Sequence, residues 1–154
     1  SVLHSNYARA ATAAMEASQP YAKKYQEFAQ KSLSASINAQ HMSQTAFDTQ
    51  MRAQHHMEEA RKFQQISKEE QNNENKWKYY YKACETMKPV EGEVQQATNE
   101  NAEAQRIQAE AVKFYKKSKP YRIAEDYLAL KAASEYGYRK PAPPSVPIPS
   151  LDDE

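Results

Sequence analysis

Between Tyr21 and Phe63 the sequence places small or apolar residues in alternating steps of four and three: Tyr21, Tyr25, Phe28, Ser32, Ala35, Ala39, Met42, Ala46, Thr49, Ala53, His56, Ala60 and Phe63. A seam with this period predicts a long helix that lays one stripe along a neighbouring helix. Its middle is built of alanine and serine, so the neighbour can approach closely. A second stripe, Leu33, Ile37, Phe47 and Met51, runs beside the first and predicts contact with more than one neighbour.

Composition supports helices held together by small residues. Leu, Ile, Val and Phe together number 19 of 154 residues, a poverty that in other chains goes with disorder. Here 21 basic residues nearly cancel 20 acidic ones, and disorder normally goes with high net charge. The place of the aliphatics is taken by 24 alanines and 11 tyrosines, which favour close helix packing with amphipathic aromatic contacts. The core is expected to be thin, and stability to depend on burial against something else.

The remaining elements follow from punctuation. Residues 2–17 are Ala-rich, with Leu3, Tyr7, Ala10, Ala11 and Ala14 at helical spacing, and read as a first helix. Their Ser, Thr and single Arg9 also share the composition of a mitochondrial presequence, while a start at Ser1 fits loss of a presequence or of an initiator Met equally. Ser18 and Pro20 read as the start of the next helix, 19–66. Residues 67–76 hold no apolar side chain and form either exposed helix, the favoured reading, which would carry the long helix on to 87, or a loop.

Pro89 opens a helix 89–117, with Val90, Val94, Ala97, Asn101, Ala104, Ala111 and Tyr115 on its seam and Ile107 and Phe114 flanking. Lys88 before it is expected to leave the α region. Ser118 and Pro120 repeat the earlier start signal for a last helix, 120–136, which Gly137 caps. Five of the eight prolines fall in residues 139–154, so that segment is expected to be an extended, polyproline-like arm. The predicted fold is all-α: an elongated helical hairpin or bundle (1–138) of long Ala-rich helices with this C-terminal arm.

Signals for chemistry are sparse. Two glycines, Gly92 and Gly137, leave little provision for phosphate-cradling loops, and no P-loop or dinucleotide fingerprint occurs. None of His4, His41, His55 and His56 has a Glu three residues before it, so the di-metal bundle motif is missing. His55 and Glu59 share a helix face but supply only two ligands, and read as a solvated pair. Cys84 alone forms no intrachain disulfide and reads as a small buried hydrophobe. No catalytic, cofactor or metal residues are assigned, and a net charge of +1 disfavours nucleic acid as the main partner. No run of 18 apolar residues exists to span a bilayer, which leaves a peripheral place on a membrane complex open.

The aromatic residues carry the most information. Trp77, Tyr79, Tyr80 and Tyr81 are rotated by about 100° from one to the next on a helix, so they cannot all enter one core. The candidate partner-binding residues are therefore Trp77, Tyr80 and Tyr81, with Tyr138 and the arm residues Val146, Ile148 and Leu151, the arm's charged Arg139, Lys140, Asp152, Asp153 and Glu154 pairing at the rim. The expected function is that of a non-catalytic structural or accessory subunit of a stable multiprotein complex. The specific expectation is the peripheral stalk of an ATP synthase in the mitochondrial inner membrane, and the alternative is a cytoskeletal or ciliary lattice-binding helical module, with a cytoplasmic or ciliary location. Both rest on analogy at the level of fold.

Overall fold

Helix α1 runs without a break from Val2 to Glu69 in the computed structural model, which describes the backbone of residues 2–152 and the side chains of residues 6–152. It is followed by α2 (Asn73–Met87) and α3 (Val90–Ser134), with no strand among the described residues. The fold is all-α, and α1 and α3 pack as an antiparallel hairpin. The chain divides into two compact units, one of Ser1–Ser36 with Ala109–Glu154, the other of Ile37–Gln108.

In the second unit the buried positions of α1 are Ala39, Ala46, Thr49, Ala53, Ala60 and Ser67, opposite Val90, Ala97 and Ala104 of α3. Alanine recurs every seven residues on both helices, which brings the backbones close enough for short side chains to bridge them. The Thr49 hydroxyl donates to the Glu100 carboxylate at 2.8 Å, and His56 Nδ1 lies 2.7 Å from a Glu93 carboxylate oxygen. These pairs are seven residues apart on both helices, so each reports the same register.

The α1 seam read from the sequence is buried or half-buried throughout its length. The α3 seam differs by one step: Val94, Asn101 and Tyr115 are exposed, and Glu93, Glu100, Ile107 and Phe114 take the inward places. Glu93 rather than Val94 takes the inward place because the partners there are Arg52 and His56, which a carboxylate satisfies and a valine does not.

The first unit buries Ala10, Phe28 and Ala35 of α1 with Ala111, Ser118, Tyr121 and Ala124 of α3. Phe28 stacks on Tyr121 with ring centroids 5.5 Å apart, and the Ser32 hydroxyl donates to the Ala111 carbonyl at 2.8 Å. Lys24, Lys31 and Lys117 each bring an ammonium within 5.9 Å of the Phe28 ring centre, so the charges meet its π-face. Of the first-turn face, Ala10 is buried and Ala14 half-buried, but Tyr7 and Ala11 face outward and the Leu3 side chain lies outside the described residues.

Three helix boundaries expected from the sequence are absent or moved. Neither Pro20 nor Pro120 starts a helix, because α1 and α3 continue through them. Each proline removes one backbone bond, at a cost of about 3 kcal/mol in a helix interior. In the turn before each, a serine hydroxyl bonds the backbone: Ser18 to the Met15 carbonyl at 3.4 Å and Ser118 to the Tyr115 carbonyl at 2.5 Å. Tyr121, beside Pro120, is only 1% exposed, and that burial opposes a break. Residues 67–76 are neither continuous helix nor a full loop. α1 ends at Glu69, and the side chain of Asn72 caps α2 by accepting from the Asn75 backbone N–H at 3.2 Å. Lys88 stays helical (φ −52°, ψ −44°), and the Pro89 carbonyl accepts from Glu93 at 2.9 Å, so Pro89 occupies a position with no N–H to lose.

Candidate protein interface

The chain turns back after α1 so that α2 lies antiparallel on the last turns of α1. Ser67 donates to the Lys76 carbonyl at 2.8 Å, and Phe63 stacks on Tyr79 with centroids 6.3 Å apart. Lys82 lies over both rings, at 5.6 and 5.2 Å from their centres. With Tyr79 turned inward, the helical rotation sends its neighbours out. Trp77, Tyr80 and Tyr81 are 55%, 44% and 62% exposed, and no residue of α2 is buried.

The three outward rings form one cluster. Trp77 meets Tyr80 edge to face at 5.5 Å, Tyr80 meets Tyr81 at 5.8 Å, and Trp77 and Tyr81 are 6.3 Å apart. Mutual contact restricts their rotamers before any partner arrives, which lowers the entropy lost on binding. Tyr80 stands between two open grooves. One is lined by Met57, Arg61, Cys84 and Met87, the other by Gln64, Lys68, Lys76 and Trp77. Cys84 is exposed in the first groove, not buried, because Tyr79, Ala83 and Thr86 take the inward face of α2 and the helical rotation turns Cys84 away from it. Arg61, Lys68 and Lys76 give the rims a positive character, and at the end of α2 the exposed Glu85 carboxylate, 2.7 Å away, raises the Lys88 pKa.

The other candidate residues belong to the first unit. Gly137, at φ +100°, carries the chain out of α3 in a left-handed conformation that glycine adopts freely, after a helix that ends at Ser134. Tyr138 beyond it is 46% exposed. Residues 139–150 have no helix or strand, and they do not leave the molecule: the Tyr121 hydroxyl donates to the Ser150 carbonyl at 2.8 Å. Val146 is half-buried, Ile148 and Leu151 are 40% and 38% exposed, and Asp153 and Glu154 lie outside the described residues. The arm is thus seated on its own helix, which proline content alone did not signal. Its one visible cue is the inward tyrosine at 121.

The structure brings His55 and Glu59 to 3.9 Å, His55 well exposed and Glu59 half-buried. Among the described residues no three His, Cys, Asp or Glu side chains gather as a metal site, and no helix is long and apolar enough to cross a membrane. No family model, curated protein or solved structure matches the chain.

Proposed function

We propose that this chain is a non-catalytic structural subunit of a larger protein assembly, docked through the Trp77, Tyr80 and Tyr81 cluster. The observation that carries the reading is an inversion of the usual pattern. Ten of the thirteen buried apolar residues are alanine, while eighteen large hydrophobic residues are exposed, among the described residues. Scattered exposed side chains are ordinary, but three adjoining aromatic rings flanked by two grooves form a ready anchor. The basic rim of those grooves favours a partner with acidic groups around an apolar centre.

Our specific candidate is the peripheral stalk of a mitochondrial ATP synthase, a place that calls for long rigid helices and little chemistry. The continuous 68 residues of α1 supply such a helix. Affinity purification of a tagged copy tests both levels of the reading. Recovery in fixed proportion with ATP synthase subunits is the expected result, and joint replacement Trp77→Ser and Tyr81→Ser lowers that recovery at least tenfold, the effect of losing about 1.4 kcal/mol. Recovery with a different set of subunits would move the chain to another complex. Recovery of the free chain alone would end the structural-subunit reading.

A further inference from the structure

The second stripe of α1 is a heptad pattern in its own right, and nothing among the described residues covers it. Filling the gap between its apolar ends at the same four-three spacing gives Leu33, Ile37, Gln40, Gln44, Phe47 and Met51, all exposed on one continuous helix. The four apolar members are 54%, 44%, 55% and 45% exposed. The order is a palindrome: two apolar residues, two glutamines, two apolar residues. Three residues further out on either side it continues with Gln30 and Gln54.

We propose that this stripe binds the same stripe of a second copy of the chain, the two α1 helices running antiparallel about a two-fold axis at the level of residues 40–44. An antiparallel coiled coil sets each a position against a d position of its partner. Under that axis Ile37 meets Phe47, Gln40 meets Gln44 and Leu33 meets Met51, each an a–d layer. Every apolar residue then faces an apolar one. The central glutamines, each both donor and acceptor, face each other. A shift by one heptad sets Ile37 against Gln40 and Gln44 against Leu33, so the pattern penalises slippage.

The flanks argue for the same partner. On one side are Ser36, Ser43 and Gln50, uncharged and mostly small, so a helix can approach without stripping water from a charge. On the other side the two-fold sets Glu27 of one copy near His55 of the other and Ser34 near Asp48, while the two His41 residues lie beside the axis. A foreign partner has no reason to match this symmetry, whereas a second copy matches it by construction.

The test uses the full chain. Sedimentation at about 100 μM is expected to give twice the chain mass, and Phe47→Lys, which sets an ammonium against Ile37 twice in each dimer, to return it to the single mass with unchanged helicity by circular dichroism. Orientation is read in a Cys84→Ser background: an oxidised mixture of Ile37→Cys and Phe47→Cys chains forms a cross-linked pair, and neither variant alone does. A single mass for the unmodified chain at that concentration, a dimer that survives Phe47→Lys, or self-cross-linking of Phe47→Cys alone would each overturn the proposal. Because the aromatic cluster on α2 is not involved, Phe47→Lys leaves recovery with the larger assembly intact unless the dimer is itself the unit that assembles.

Discussion

Alanine at 46 and 53 is the residue on which the second unit depends: the two side chains are 0% and 1% exposed where α1 meets its neighbours. A larger side chain there has no space, and overpacking costs about 1–3 kcal/mol. Ala46→Leu or Ala53→Leu is expected to lower the melting temperature by about 2–4 °C for each kcal/mol lost. At chain concentrations too low for copies to pair, Phe47→Ala, one residue away but 55% exposed, is expected to change stability by no more than about 0.5 kcal/mol. Equal effects at 46 and 47 in a thermal melt would contradict the seam. The half-buried carboxylates act at the same scale by a different force. Glu93 serves His56 and Arg52, Glu100 serves Thr49, and these pairs set register where methyl groups alone do not distinguish one heptad from the next. On the surface, Arg106 donates to Glu103 and holds that carboxyl below its ordinary pKa, a contact that leaves the seam untouched.

Among the elements, α3 has the most to hold in place, because it continues through Pro120 and seats the C-terminal arm. Tyr121 joins these tasks: its ring stacks on Phe28 and its hydroxyl donates to Ser150. Tyr121→Phe keeps the ring and removes only the hydroxyl. It is expected to raise amide hydrogen exchange and proteolytic cleavage in residues 141–152 with little change in α3, since a neutral hydrogen bond is worth about 1 kcal/mol. Unchanged protection of the arm after this substitution would show that proline stiffness and the half-buried Val146 hold it without the tyrosine. α2 differs in kind: it buries no residue and depends on Phe63, Ser67 and the cap at Asn72 for its place.

For the whole molecule, ten of the thirteen buried apolar residues are alanine among the described residues. A core of alanines removes little apolar surface from water, at about 25 cal/mol per Å². The isolated chain is therefore expected to be highly helical yet to melt well below about 90 °C, with the midpoint rising with concentration if copies pair. A melt above that temperature and independent of concentration would show that the alanine seams suffice alone.

The helical class, the direction of the hairpin and the buried face of α1 were legible in the sequence, because a four-three period of small residues over forty residues calls for a helix packed along one face, and short connections return the chain antiparallel. The arm was legible as irregular for an equally local reason: prolines cannot continue a helix. What local chemistry could not decide was how an ambiguous signal is resolved by contacts distant in the chain. Pro20 and Pro120 lie inside helices because packing outweighs a lost backbone bond. Glu93 displaces Val94 from the α3 seam because its partners are 37 and 41 residues away, at His56 and Arg52. Cys84 is exposed and the arm is docked because of the helices beside them. A residue's preference is set by its own atoms, but its burial is set by neighbours that only the folded chain brings near.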